Sequence, residues 1–251
     1  MSTDNPRIAL VIGGGSGIGA ALAVLYRARD IVTVVWDIDG ESDINCDIAR
    51  AEQIDDAVAQ TTAQWGIPAW VTVTAGVGHA GLLSEATPEE WDRVMAVNAR
   101  GPWLCMRAWA RVMVEGGHAG SFVATSSISA HLVDRNMGIY CASKAALSML
   151  VQVAASEWGP SGVRVNAIAP GVTMTPMLGR SPQGSPWLSG VADRTALGRL
   201  GQAEDIAQAI VSLHDMEWVT GQVLDCDGGL SLRSPIDAFA AAPRLGKDNS
   251  P

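Results

Sequence analysis

Residues 8–12, IALVI, are apolar throughout and run straight into GGGSGIG at 13–19, after which 20–27 carry apolar residues at helical spacing. A strand that is apolar on both faces has to be covered on both sides, and a parallel sheet flanked by helices provides that cover. The pattern recurs along the chain. Strand-length apolar runs at 31–36, 69–75, 121–125, 163–168 and 223–224 alternate with helical patterns at 17–27, 51–65, 88–114, 140–158 and 204–213. This alternation predicts an α/β chain folded as a doubly wound parallel sheet with helices on both faces.

With 251 residues, 48% of them hydrophobic, the chain suits one large domain with a substantial core. Two stretches depart from the rhythm. Residues 178–197 are rich in Pro, Gly and Ser, the composition of a loop or short helical lid beside a site, and 233–251 read as a C-terminal tail. A net charge of −9, with no basic run, repels phosphate backbones and anionic lipid, so neither nucleic acid nor membrane is an expected partner. Residues 1–7 lead into only five apolar residues, too few for a secretory signal. Cys46, Cys105, Cys141 and Cys226 are far apart, as buried reduced thiols of a cytoplasmic protein would be, and the four His show no metal-ligand spacing.

The glycine turn carries the first chemical signal. Glycines let the backbone turn tightly and approach a pyrophosphate, whose charge is favoured by the free N–H groups at a helix N-terminus. Asp37 ends the second strand, eighteen residues after Gly19, where a carboxylate accepts hydrogen bonds from adenosine ribose hydroxyls and repels a 2′-phosphate. The turn offers no Lys or Arg to offset such a phosphate, so NAD is the expected cofactor. Asp47 either holds the adenine edge or belongs to the start of the helix at 51.

Tyr140 and Lys144 stand four residues apart, which places both on one face of a helix. A nearby ammonium favours the phenolate, so the pair predicts a tyrosine whose pKa is lowered toward working pH and which can pass a proton to or from an alcohol oxygen.

These residues resemble the short-chain dehydrogenase/reductase family. The resemblance lies in GGGSGIG at 13–19, VNARG at 97–101, Ser126 and Ser127, YCASK at 140–144, NAIAPGVTMTPM at 166–177 and DGG at 227–229, in the family's order along nearly the whole chain. It implies a single-domain Rossmann fold over 1–232 and assembly as a homotetramer through the two long helices. It also implies direct hydride transfer between NAD(H) and a secondary alcohol or ketone, without a metal. Tyr140 is then the general acid/base, Ser127 hydrogen-bonds the substrate oxygen, and Asn98 holds a water joined to Lys144, which also reaches the nicotinamide ribose. By the same resemblance Gly13, Gly15, Ser16, Gly17, Ile18 and Gly19 hold the pyrophosphate. Asp37, Asp47, Ile48, Ala75 and Gly76 line the adenosine side, and Pro170, Gly171, Val172 and Thr175 meet the carboxamide.

Three departures from the family pattern stand out. Ile12 replaces the usual Thr, Val73-Thr74-Ala75-Gly76 replaces Asn-Asn-Ala-Gly, and too few residues separate Asp37 from Asp47 for the usual helix. The shortening, with Ala130-His131 after the serine, resembles the branch that includes dihydrodihydroxybenzoate and hydroxysteroid dehydrogenases, and so implies a cyclic substrate. His131 either faces substrate or sits on the surface. Trp91, Trp103, Trp109 and Met113 serve either a subunit interface or the core. Two other functions stay open: an NADPH-dependent carbonyl reductase of the 3-oxoacyl type, against which Asp37 speaks, and a nicotinamide-binding regulator without turnover, against which the catalytic set speaks.

Overall fold

The computed structural model describes residues 7–178 and 185–232. Within them the strands are β1 Ile8–Ile12, β2 Val32–Asp37, β3 Ile44–Asn45, β4 Trp70–Val73, β5 Gly120–Thr125, β6 Val163–Pro170, β7 Thr173–Met174, β8 Gly201–Gln202 and β9 Val223–Cys226. The helices are α1 Gly17–Arg27, α2 Ala51–Gln64, α3 Pro88–Met95, α4 Gly101–Gly116, α5 Gly138–Trp158, α6 Pro186–Arg194 and α7 Ala203–Asp215. Seven strands form one parallel sheet in the order β3-β2-β1-β4-β5-β6-β9, and β7 pairs with β8 beside it.

The strand order reverses between β1 and β4, the topological switch point at which open α/β sheets bind ligands. Continuous burial of β1, β4, β5 and β6 follows from helices on both faces. One layer of the core gathers Leu10, Trp36, Trp109, Met113 and Phe122 beneath α2, α4 and α5; the other gathers Val11, Leu22, Tyr26 and Ile210 beneath α1 and α7. Each such aliphatic side chain contributes about 1.5–3 kcal/mol on full burial. Two buried polar groups find partners within the layers, while the Trp109 indole N–H has none among the described residues. The Trp36 indole donates to Thr61 Oγ1 at 3.0 Å, and His214 bridges Thr72 and Ser121 at 2.9 Å on each side.

Three details differ from the sequence expectation, and one alternative left open there is resolved. The segment expected as one helix over 88–114 is two, joined by a π-helical turn, Ala96–Arg100, with Asn98 at its centre. It begins at a capping box in which Thr87 Oγ1 accepts the Glu90 N–H and the Glu90 carboxylate accepts the Thr87 N–H, and it ends at Gly117 with φ +66°. Trp109 and Met113 are wholly buried core, because they face the sheet, whereas Trp91 and Trp103 stay partly exposed. Cys46 and Cys105 are buried thiols, but Cys141 and Cys226 are only half-buried. Residues 138–161 are also long and apolar enough to cross a bilayer by length and composition, a length the shorter runs did not suggest. Here that helix packs against β6 and α4 as a core element.

No helix lies between β2 and β3, as expected: β2 leaves Asp37 through a tight loop that returns at Ile44. Half of the expected lid is helical, as α6, while 179–184 and the tail at 233–251 fall outside the described residues.

Candidate active site

The glycine turn sits at the carboxyl end of β1. Gly13 has φ +86°, and a Cβ there would stand 2.4 Å from Ala75 N; a Cβ on Gly19 would stand 2.1 Å from the Gly13 carbonyl oxygen. Only residues without a Cβ let β1, α1 and the end of β4 approach so closely. The replacement of the family asparagines by Val73 and Thr74 is accommodated here. Thr74 Oγ1 donates to the carbonyls of Gly13, at 2.8 Å, and Ile12, at 3.1 Å, so a threonine ties β4 to the turn.

Asp37 closes the same corner from the other side. Its carboxylate accepts the N–H groups of Gly15 at 2.7 Å, Ile38 at 2.8 Å and Asp39 at 3.1 Å. The short β2–β3 loop folds onto Gly15 through the Asp39 carbonyl, and Glu41 and Asp43 line a cavity beside the turn. This cavity, of about 500 Å³, is also lined by Gly14, Gly15, Ala23, Arg27 and Val35. Asp47 Oδ1 accepts the Ala49 N–H at 2.9 Å, so its side chain braces the start of α2. Ile48 is buried against α4, touching Gly101, so only its main chain is open to a ligand.

Ser16 precedes α1 without a side-chain cap, and the first turn of α1 carries no acid, so its N–H groups at Gly17, Ile18 and Gly19 are suited to an anion. Thr175 lies 3.4 Å from where a Gly17 Cβ would be, which brings the segment after Pro170 across the turn. Gly171 donates its N–H to the Cys226 carbonyl at 3.2 Å, and the Val172 carbonyl accepts from Gly201 at 3.0 Å. Farther along, a Cβ on Gly76 would fill the space between Asn98 Oδ1 at 3.3 Å, Lys144 Nζ at 3.5 Å and Met177 Cε at 3.7 Å. An open cleft with a helix N-terminus at one end and a lysine at the other fits a dinucleotide.

Tyr140, Ser127 and Lys144 meet at the far end of this cleft. Ser127, at the end of β5, caps the 3₁₀ turn Ile128–Ala130 and hydrogen-bonds toward Tyr140. Lys144 is buried one helical turn from Tyr140; Nζ donates to the Thr125 carbonyl at 2.8 Å and lies 5.7 Å from the tyrosine ring centroid. Burial lowers the Lys144 pKa to about 8. The expectation of a lowered tyrosine pKa is corrected: burial pushes Tyr140 up, and the Ser127 hydrogen bond offsets only part of that. The reason is geometric, since the ammonium is turned to a carbonyl rather than to the phenol oxygen.

Asn98 is fixed by three bonds. Its Oδ1 accepts the Val77 N–H at 2.8 Å, while Nδ2 donates to the Val77 carbonyl at 2.9 Å and to Ser143 Oγ at 3.1 Å. These bonds make it a brace between the π turn, the Gly76 loop and α5. His131 turns out to pair with Asp225 on β9 at 3.2 Å. Sequence reasoning missed Asp134 here, and did not foresee the bonds that Thr74 makes to the glycine turn. The Thr-for-Asn replacement was the available signal for Thr74.

The family model described as enoyl-(acyl carrier protein) reductase matches residues 15–231. Among curated relatives, 2,5-dichloro-2,5-cyclohexadiene-1,4-diol dehydrogenase of Sphingobium indicum is 34% identical, with 92% of this chain and 99% of the relative covered. A (3R)-3-hydroxyacyl-CoA dehydrogenase of Canis lupus familiaris is 33% identical over 89% of this chain and 95% of its own length. The solved aldohexose dehydrogenase of Thermoplasma acidophilum superposes with a TM-score of 0.86 at 25% identity, covering 92% of this chain and 96% of the other. Sheet order, site geometry and relatives agree: this chain belongs to the short-chain dehydrogenase/reductase family, whose members are oxidoreductases that use a nicotinamide cofactor.

Proposed function

We propose that the chain is an NAD(H)-dependent dehydrogenase of a cyclic secondary alcohol, with Tyr140 as general acid/base. The observation that carries this reading is the convergence of Ser127 on Tyr140, with buried Lys144 one turn along the same helix. Bound NAD(H) supplies or accepts the hydride. In oxidation Tyr140 takes the proton of the alcohol and in reduction returns it, while the Ser127 hydroxyl donates to the substrate oxygen. Lys144 holds the nicotinamide ribose at the Gly76 end of the cleft, Asn98 keeps that end in shape, and Met177 covers it against water.

The choice of NAD rests on Asp37. A 2′-phosphate would meet this carboxylate and its acidic neighbours, with no cation in the glycine turn to offset them. The pyrophosphate falls to Gly13, Gly15, Ser16, Gly17, Ile18 and Gly19, the adenosine to Asp37, Asp47, Ile48, Ala75 and Gly76, and the carboxamide to Pro170, Gly171, Val172 and Thr175. The cyclic substrate is supported by the name of the Sphingobium relative. In the same reading 1–232 form the catalytic domain and the enzyme works in the cytoplasm, in keeping with its free cysteines. Four copies assemble through α4 and α5, whose exposed Trp103, Met149 and Val153 support such an interface.

The test is separate titration of NADH and NADPH, followed by energy transfer from the nine tryptophans, and then a screen of cyclic secondary alcohols with NAD. Tight NADH, weak NADPH and loss of turnover in Tyr140→Phe with NADH binding retained are the expected results. Preference for NADPH would transfer the reading to a 3-oxoacyl-type reductase, which the hydroxyacyl-CoA relative favours.

A further inference from the structure

The catalytic serine is held by a turn that is itself held. Ser127 Oγ accepts the Ser129 N–H at 3.1 Å. With that lone pair occupied by a fixed donor, the hydroxyl proton is kept away from the Ser129 N–H and is left for a partner elsewhere. Ser129, buried to 6% exposure, donates its own hydroxyl to Asp134 Oδ2 at 2.5 Å, a bond to a charged acceptor and about twice as strong as a neutral one. The Asp134 carbonyl accepts the N–H of Met137, the residue from which α5 starts, at 3.1 Å. One residue is thus tied both to the turn that aims Ser127 and to the helix that carries Tyr140.

Resting on the reading of Ser127 and Tyr140 given above, we propose that Ser129 and Asp134 are positioning residues that lock the Ser127 hydroxyl as a donor toward the substrate oxygen. Neither reaches the reacting atoms. They act through the turn Ile128–Ala130, whose conformation decides where the Ser127 proton points. The groups facing Tyr140 are Cys141 and Lys144 from α5, Ser127 from the end of β5, and Asp134 from the turn before α5. Asp134 is the carboxylate in this set, and its charge adds to the burial that raises the phenol.

The experiment uses the full chain and two readouts. The chain has two tyrosines, and Tyr26 is fully buried with its pKa pushed far above the ordinary range, so ring-carbon NMR of tyrosine-labelled protein follows Tyr140 without overlap, Tyr140→Phe giving the assignment. Turnover is read with NAD and the best alcohol of the screen. Asp134→Ala and Ser129→Ala are expected to lose about tenfold in kcat with the affinity for NADH unchanged, a modest loss for a misaimed donor. Asp134→Asn keeps an acceptor for Ser129, so it restores kcat to within about threefold while the Tyr140 midpoint moves to lower pH. Wild-type kcat in both alanine variants would overturn the proposal, as would a loss in kcat matched by a loss of NADH affinity. Turnover surviving in Tyr140→Phe would strike instead at the catalytic reading; the Asp134→Asn titration needs no substrate and still decides whether Asp134 acts on Tyr140.

Discussion

Lys144 Nζ donates to the Thr125 carbonyl at 2.8 Å, so the buried lysine of α5 is pinned to the strand that delivers Ser126 and Ser127. The ammonium and the serine therefore share one rigid support. Replacing Lys144 with Met removes the charge at the Gly76 end of the cleft, and turnover should fall by about a hundredfold or more, equivalent to about 2.7 kcal/mol. The pH dependence has a definite sign. With its pKa at about 8, Lys144 loses its proton above that pH, so NADH affinity should weaken there in the wild type. Fluorescence titration of NADH across this range, in wild type and in Lys144→Met, checks both points.

Asp37→Ser should narrow the ratio of NAD to NADP affinity by relieving repulsion of the 2′-phosphate. It also removes an acceptor shared by three backbone N–H groups, so the variant should be less stable by about 1–3 kcal/mol. Parallel NADH and NADPH titrations with a urea melt separate the two effects. An unchanged affinity ratio in a folded variant would remove Asp37 from the cofactor site.

His214 gives the fold an acid-sensitive point far from the catalytic groups. Burial lowers its pKa from 6.5 to about 3 while it bridges Thr72 and Ser121 and stacks on Trp70. The unfolded chain binds a proton at this residue below about pH 6.5, whereas the folded chain does not, so stability drops as pH falls through that window. Its contribution to the slope is at most about 1.4 kcal/mol per pH unit. His214→Phe should be less stable at pH 7, because Thr72 and Ser121 each lose one hydrogen bond, yet lose less on acidification. Urea melts at pH 7, 5.5 and 4 would show it.

Gly19→Ala places a Cβ 2.1 Å from the Gly13 carbonyl oxygen, in backbone that cannot give way without moving β1 or α1. A lowered Tm and loss of NADH binding are expected together. Gly78→Ala is the matched control, since a Cβ there meets nothing within 4 Å, and it should leave both unchanged.

The sheet, its helices and the missing β2–β3 helix were legible in the sequence because burial on both faces writes continuous apolar runs, and because the stretch between Asp37 and Asp47 is too short for the usual helix. The pairing of Tyr140 with Lys144 on one helix face followed from spacing, and Ser127 from the family resemblance. What spacing does not carry is direction. It put an ammonium near the phenol but not its turn toward Thr125, and so gave the wrong sign to the Tyr140 shift. Likewise a stripe of Trp and Met along α4 does not tell which members face the sheet; Trp109 does and Trp103 does not. His131 found Asp225 across ninety-four positions of sequence, a pairing no local pattern encodes.

The sheet also ends well at its margins. β3, at one edge, is two residues long, and β9, at the other, has four. An exposed strand is a template for another chain, and its reach as a template grows with its length. A parallel sheet forms from segments distant in sequence and passes slowly through half-built stages, during which free edges are most dangerous. Trimming the β2–β3 crossover to a loop thus leaves a rim that offers a misfolding neighbour almost nothing to zip onto.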